Sequence, residues 1–152
     1  MKEDKVGNDS LMAFREVTRD LDNHYSYFPK SCGLSEPEYW SLLLIDEGIE
    51  TQSAISEQMY FSRQTLNSAF KQLIKKGFIV LEPYEDNLRS KRAVLTDVGK
   101  GFIDDQVKKM HGIEKAAWQQ LRSSEQEQLL QLTRKYADVL KEILETQKDS
   151  DI

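Results

Sequence analysis

The 152-residue sequence contains one cysteine, three prolines and seven glycines, and it lacks any long hydrophobic run. The lone cysteine, Cys32, excludes an intrachain disulfide framework and is typical of proteins from reducing compartments. No apolar stretch approaches the roughly 18 residues of a membrane-spanning helix, and the polar residues 1–9 lack the hydrophobic core of a signal peptide. We therefore expect a cytoplasmic globular protein without membrane association.

The charges of the chain are unevenly distributed. The net charge of −5 by itself argues against a nucleic-acid partner. Residues 51–100, however, contain eight Lys and Arg residues against five Asp and Glu, a balance of +3, whereas the remainder contains 13 against 21, a balance of −8. Chance also produces a difference of this size, so the basic middle third gains weight only from the motifs within it.

Apolar residues recur at helical spacing through most of the chain. The only β-branched and aromatic run bounded by turn residues lies in the second half of the basic segment. Two short strands cannot form a core, so we expect a hairpin attached to a helical body. The predicted helices cover residues 11–28, 36–47, 53–59, 62–76, 97–121 and 123–147, and the strands cover residues 78–81 and 91–95.

Several helix ends carry recognisable local signals. Ser35 and Glu38 have the spacing of a capping box, and Pro37 lies in the first turn, where its missing N–H is not needed. Gly77 follows the fourth helix at the position where a left-handed residue usually ends a helix. Thr96 is predicted to cap the long fifth helix.

The third and fourth helices have the order and spacing of a helix-turn-helix, with Tyr60 and Phe61 between them. Arg63, Asn67 and Lys71 are spaced four residues apart and therefore align along one side of the fourth helix. Arg, Lys, Asn and Gln are the side chains best suited to base edges and phosphates, and Ser53 and Ser62, at helix N-termini, can cap and bind phosphate. The alternative interpretation is an ordinary solvated helix face. The residues predicted to contact DNA from this motif are Ser53, Ser62, Arg63, Gln64, Thr65, Asn67, Ser68 and Lys71.

Three cations lie in and beside the polar loop that joins the two predicted strands: Arg89 within it, and Lys91 and Arg92 where the second strand begins. Arginine on a projecting arm is attracted by the negative potential of a narrow minor groove, so we expect Arg89 to enter that groove and the other two to contact phosphates. A basic loop by itself is equally consistent with a role in solubility. A helix-turn-helix followed by a basic hairpin is a far more specific combination and predicts a winged helix-turn-helix.

The combined run resembles the MarR family of bacterial regulators. The resemblance covers about residues 34–102 and is carried by Leu34–Tyr39, Ser62–Asn67, Leu73–Ile79 and Arg89–Gly99. Family members usually carry an Asp two residues before the wing arginine, which helps to brace the wing. This sequence has Asn87 at that position, with Asp86 just upstream.

The resemblance implies a mainly α, winged helix-turn-helix protein with about six helices and a two-stranded wing, dimeric through its first and last helices. It implies a regulator, expected to be a repressor and not an activator, that binds a pseudo-palindromic operator in double-stranded DNA and is modulated by a small-molecule effector or by oxidation. The corresponding segments are a dimerisation helix in 1–33, a DNA-binding lobe in 34–97 and dimerisation helices in 98–152. Two recognition helices must lie about 34–36 Å apart to read successive major grooves, and a helix of roughly 24 residues spans about 36 Å.

Other sites receive weaker support. Cys32 lies beside only one cation, Lys30, so an ordinary thiol is favoured over a redox sensor. His24 and His111 lack accompanying Cys or His residues, so we predict no metal site and no cofactor. The aromatic residues near the first loop can line an effector pocket or simply belong to the core; they include Tyr25, Phe28, Tyr39 and Trp40.

The sequence gives less support to two other function classes. The sequence contains no phosphate-binding loop, zinc-protease motif, nucleophile elbow or Ser/His/Asp arrangement, so an enzyme is not expected. A winged helix used only for protein contacts is the main alternative, but a docking helix would expose apolar anchors. The fourth helix instead exposes Arg63, Gln64, Asn67 and Lys71.

Overall fold

A computed structural model of the chain describes the backbone of residues 2–150 and the side chains of residues 9–150. Within this part the fold is mainly helical with one two-stranded sheet, as predicted. The chain divides into two compact units, one ending at Met110 and the other beginning at His111. The helices are α1 (Lys2–Tyr25), α2 (Tyr27–Ser31), α3 (Glu36–Asp46), α4 (Gln52–Met59), α5 (Arg63–Lys75), α6 (Asp97–Phe102), α7 (Lys108–Trp118) and α8 (Ser123–Ser150), and the strands are β1 (Ile79–Pro83) and β2 (Lys91–Leu95).

The first predicted helix is interrupted earlier than expected, since α1 ends at Tyr25, but the non-helical segment expected from Pro29 onward begins only after α2. We expected Pro29 to begin it, but Pro29 is the third residue of the single-turn helix α2. The first amides of a helix have no intrahelical acceptor, so a proline at this position sacrifices no hydrogen bond. The chain turns instead at Gly33, whose φ is +69°.

The start of α3 is the capping box predicted from the sequence. The Ser35 hydroxyl accepts a hydrogen bond from the Glu38 amide at 3.3 Å, and the Glu38 carboxylate accepts one from the Ser35 amide at 2.9 Å. The start of α4 differs from the prediction, because Thr51 and not Ser53 caps it: its side chain accepts from the Ala54 amide at 3.3 Å. Ser53 is therefore an exposed residue of the first turn.

Helix α5 ends in a hydrogen-bonded motif that delays the following strand. The Phe78 amide donates to the Leu73 carbonyl and the Gly77 amide to the Ile74 carbonyl, at 3.0 and 2.9 Å. This pairing, with Gly77 at a φ of +76°, is a Schellman motif. Phe78 is thus part of the helix cap, so β1 begins at Ile79 and not at Phe78.

The hairpin is antiparallel and is joined to the helical body by backbone contacts. Ile79 pairs with Leu95, and Pro83 pairs with Lys91. Lys91 and Leu95 are the bounds of β2 in the structure and in the prediction. The amide of Ala93, in β2, donates to the carbonyl of Glu50, just before α4, at 2.8 Å. This bond ties the base of the wing to the helix-turn-helix.

The predicted long helix beginning at Asp97 is present, but a π-helical segment, Ile103–Val107, interrupts its α-helical bonding. The prediction of Thr96 as N-cap is confirmed, since its hydroxyl accepts from the Gly99 amide at 3.0 Å. The same hydroxyl donates to the Gly77 carbonyl. Ile103 and Val107 are almost completely buried, so the π segment contributes apolar side chains to the core.

The core of the first unit lies where α3, α4 and α5 meet the hairpin and the π segment. Its centre consists of side chains with at most 2% exposure. They are Tyr39, Leu42, Ile55, Leu66, Phe70, Leu73, Ile79, Ala93, Ile103 and Val107.

The second unit contains α8, a helix of 28 residues with no buried residue. Its large apolar residues are exposed. They are Leu129, Leu130, Leu132, Tyr136, Val139, Leu140, Ile143 and Leu144. None of the described helices is long and apolar enough to cross a membrane.

Candidate nucleic-acid interface

Helix α5 presents a polar face of the composition expected for nucleic-acid recognition. Leu66, Ala69, Phe70 and Leu73 are buried and hold the helix against the body. The opposite side is exposed and carries no carboxylate, so nothing on it would repel a phosphate. Five exposed residues of this helix are predicted DNA contacts, namely Arg63, Gln64, Asn67, Ser68 and Lys71. Gln72, Ile74 and Lys75, nearer the end of the helix, are exposed as well.

The hydroxyl groups at the start of α5 are engaged within the protein. The Ser62 hydroxyl accepts from the Thr65 amide at 3.1 Å, and it donates to the Thr65 hydroxyl at 2.8 Å. The capping role predicted for Ser62 is therefore confirmed. Its predicted contact with phosphate, and that of Thr65, stays a prediction.

A partly buried ion pair joins the start of α3 to the end of α5. Lys76 Nζ lies 2.5 Å from Glu38 Oε1, and the Glu38 side chain is only 7% exposed. Burial favours the neutral acid, but the hydrogen bonds from Lys76 and Ser35 and the charge of Lys76 together lower the pKa of Glu38 below its ordinary value. The sequence identified Glu38 only as part of a capping box. No local signal reveals a pair 38 residues apart.

The lowered pKa of Glu38 predicts a specific loss of stability in acid. A carboxyl group with a depressed folded-state pKa stabilises the fold above its unfolded pKa of about 4.3, and this contribution disappears as pH falls through the folded value. Glu38→Gln should lower the free energy of unfolding by about 1–3 kcal/mol near pH 7. In urea unfolding from pH 7 to pH 3, the difference between wild type and variant should shrink below about pH 4.3. If the difference in unfolding free energy between wild type and Glu38→Gln were the same at every pH, the pair would not be ionised in the folded protein.

Asn87 holds the turn of the wing through side-chain and backbone hydrogen bonds. Its side-chain oxygen accepts a hydrogen bond from the Arg89 amide at 3.2 Å, and its side-chain nitrogen donates to the Ser90 hydroxyl at 3.1 Å. The Ser90 amide also donates to the Asn87 carbonyl at 3.2 Å. These contacts fix the turn from which Arg89 projects.

The three wing cations have different surroundings. Arg89 and Lys91 are exposed. Arg92 instead pairs across the strands with Glu82, with its guanidinium nitrogen 3.4 Å from the carboxylate. Both partners are about half exposed, so the pair is weak and Arg92 can exchange Glu82 for a phosphate.

The four aromatic residues predicted for an effector pocket do lie together. Tyr25 and Phe28 meet edge to face at a centroid distance of 5.4 Å, and Tyr39 and Trp40 meet in the same way at 4.9 Å. The Tyr25 and Trp40 rings, 6.3 Å apart, link the two pairs. Tyr39 is buried, whereas the other three are partly exposed. An effector site at this cluster stays a prediction.

Cys32 has the surroundings of an unreactive thiol. Burial raises its pKa, and a weaker contact with the Ser31 hydroxyl opposes this shift. The thiolate is the reactive form, so a raised pKa slows oxidation. Within the described residues, no group of three or more His, Cys, Asp or Glu side chains is arranged to hold a metal ion.

No protein-family model and no curated protein sequence matches the chain. Solved structures do match. NMB1585, a MarR family regulator from Neisseria meningitidis, is 19% identical with a TM-score of 0.77, over 90% of this chain and 96% of that one. The transcriptional regulator SlyA is 26% identical with a TM-score of 0.68, and the match covers 90% of this chain and 97% of SlyA. MepR in the S. aureus MepR–DNA complex is 17% identical with a TM-score of 0.69, over 84% and 94%.

These matches extend over nearly the whole length of each protein, so they concern the entire fold and not the helix-turn-helix alone. NMB1585 is a MarR family regulator and SlyA is a transcriptional regulator, the class of protein that the sequence predicts. The resemblance inferred from the helix-turn-helix and wing residues is confirmed, and the chain has the fold of the MarR-family transcriptional regulators.

Proposed function

We propose that this protein is a cytoplasmic, DNA-binding transcriptional regulator that acts as a homodimer on a pseudo-palindromic operator. The observation that carries the proposal is the face of α5, where exposed Arg63, Asn67 and Lys71 stand on a helix whose opposite side is buried. An α-helix fits the major groove, and these side chains can bind base edges and phosphates. MepR, a protein of the same fold, is known in complex with DNA.

The proposed DNA contacts are the residues predicted from the sequence. Arg63, Gln64, Asn67 and Ser68 face bases or the adjoining backbone, and Lys71 contacts phosphate. Arg89 enters the minor groove, and Lys91 contacts a flanking phosphate. Arg92 contacts a phosphate after its ion pair with Glu82 breaks. Ser53, Ser62 and Thr65 contribute through the first turns of α4 and α5.

The terminal helices are proposed to form the dimer. In α8 the apolar residues recur at helical spacing along one side, yet none of them is buried. In α1, Met12, Phe14, Val17 and Leu21 are at least 46% exposed. So many exposed large apolar side chains on one helix mark an interaction site. Residues 1–33 and 98–152 then serve dimerisation, and residues 34–97 bind DNA.

Repression, with release by a small-molecule effector at Tyr25, Phe28, Tyr39 and Trp40, is the proposed mode of action. The raised pKa of Cys32 favours a ligand over oxidation as the signal. A winged helix that binds only proteins is the second candidate. It is disfavoured because the exposed side of α5 is polar and cationic, whereas a docking helix presents apolar anchors.

Selection of bound duplexes from a random DNA pool tests the proposed function directly. A regulator of this kind should enrich two inverted half-sites centred one helical turn, about 10 base pairs, apart. Enrichment of no sequence above the input pool, at low and moderate salt, would contradict specific DNA binding and favour the protein-interaction module.

Substitutions in α5 should separate base contacts from phosphate contacts. Arg63→Ala is expected to weaken operator binding by about 1–3 kcal/mol and to relax the preference at one base position, because bidentate contacts to guanine carry sequence information. Lys71→Ala should weaken operator and random duplexes alike and lower the salt dependence of binding, because a phosphate contact releases counterions. Wild-type affinity and specificity in both variants would show that α5 is not the recognition helix.

A further inference from the structure

Tyr60, between α4 and α5, combines two unfavourable properties. Its φ of 56° and ψ of 23° place it in the left-handed helical region, where side chains with a Cβ atom are disfavoured. Among residues 2–150 it is the only non-glycine residue with a positive φ. Its side chain is also 91% exposed, the largest exposure among the exposed large apolar residues.

The turn that holds Tyr60 is firmly fixed. The Tyr60 amide donates to the Ser56 carbonyl at 2.9 Å, and the Ser56 hydroxyl donates to the Phe61 carbonyl at 2.8 Å. Phe61 packs against the core. Neighbours on both sides therefore hold this backbone conformation, and the Tyr60 ring projects into solvent.

Neither property of Tyr60 contributes to folding. Glycine or asparagine would adopt the same backbone conformation with less strain, and an exposed ring removes little apolar surface from water. A residue retained in a strained conformation points to a role outside the fold.

The position of Tyr60 indicates what that role is. It precedes the Ser62 cap by two residues and Arg63 by three, at the end of α5 that approaches base edges in the proposed complex. The chain entering a recognition helix passes beside the DNA backbone, and tyrosine hydroxyls are among the side-chain donors to phosphate. We infer that Tyr60 contacts the DNA backbone, its phenol donating a hydrogen bond to a phosphate oxygen beside the bases read by α5. This inference rests on the proposed function.

The test uses Tyr60→Gly and Tyr60→Phe in the full-length protein. Affinity is measured against salt concentration on the selected operator and on a random duplex, and stability by thermal unfolding. Tyr60→Gly should melt at or above the temperature of wild type and bind both duplexes about tenfold more weakly. Tyr60→Phe should melt like wild type and also bind both duplexes more weakly. The salt slope, which is the slope of the logarithm of affinity against the logarithm of salt concentration, should not change, because the phenol is neutral and displaces no counterion.

Two controls separate the outcomes. Tyr27→Phe removes another exposed phenol, in α2, and should bind like wild type. Lys71→Ala should lower the salt slope, which Tyr60→Phe should not do. The inference about Tyr60 would be overturned, with the proposed function intact, by either of two results. In the first, both Tyr60 variants bind DNA like wild type. In the second, Tyr60→Gly melts at a lower temperature than wild type while Tyr60→Phe binds normally. Failure of the wild-type protein to bind either duplex would instead overturn the proposed function.

Discussion

Leu132→Glu is expected to convert the protein from a dimer into a monomer and to weaken operator binding by at least about 100-fold. Leu132 is 66% exposed on the apolar side of α8. Burying a leucine contributes roughly 1.5–3 kcal/mol, and a two-fold interface contains each substituted position twice. The variant loses this contribution at two places and must also bury two charges, so the dimer dissociation constant should rise by about 100-fold or more.

The loss of DNA affinity follows from the loss of the second recognition helix. A monomer can contact one half-site, whereas a dimer contacts two successive major grooves at once. Sedimentation or light scattering reports the mass, and titration of the operator duplex reports the affinity. Wild type should have twice the 17.7 kDa mass of one chain, and Leu132→Glu should have the single mass at the same concentration.

Gln131→Glu is the matched control for this substitution. This substitution adds the same negative charge at the neighbouring position, which lies on a different side of the helix. It should leave both the mass and the affinity nearly unchanged, because isolated surface substitutions alter stability by less than about 0.5 kcal/mol. A wild-type protein that remains monomeric at micromolar concentration, or a Leu132→Glu variant that remains dimeric, would show that this side of α8 is not the interface.

Gly99→Ala should have the largest effect on folding, a loss of about 3 kcal/mol of unfolding free energy. A Cβ atom at Gly99 would lie 2.1 Å from the Phe78 carbonyl oxygen, and a backbone atom cannot move aside as a flexible side chain can. That carbonyl accepts a hydrogen bond from the Thr96 amide at 3.0 Å. The start of α6 would have to move away from the residue that closes α5 and precedes β1.

Gly101→Ala, in the same helix, should have the opposite effect. A Cβ atom at Gly101 would meet no atom within 4 Å. Alanine is favoured over glycine inside a helix by roughly 0.5–1 kcal/mol, so this variant should be more stable than wild type. Urea unfolding of both variants measures the difference. Equal stabilities would contradict the close contact between α6 and Phe78.

Helix ends were predicted correctly where a few neighbouring residues determine them. Ser35 with Glu38, Ser62, Gly77 and Thr96 act through hydrogen bonds that span three to five residues, so their spacing alone identifies them. The periodicity of apolar residues likewise indicated which side of α5 faces the core. The order of helices and hairpin, with the cations of α5 and the wing, was sufficient for the resemblance to the MarR family.

The features that the sequence did not reveal depend on contacts between distant segments or on competition between local signals. Thr51 caps α4 although Ser53 is an equally suitable residue type, because the helix begins earlier, at Gln52. Phe78 is of a residue type common in strands, but its amide donates to the Leu73 carbonyl and so completes the cap of α5.

The sequence by itself determined the secondary-structure order, the polar side of α5 and the family resemblance, because these depend on periodicity and on spacing over a few residues. Only the tertiary structure decided that Lys76 pairs with Glu38 and that Arg92 pairs with Glu82. It also decided that Tyr60 takes a left-handed conformation and that Gly99 lies against Phe78. Each of these features depends on how close packing brings backbone segments together. The spacing of residue types along the chain gives no information about the distance between segments that meet only in the folded protein.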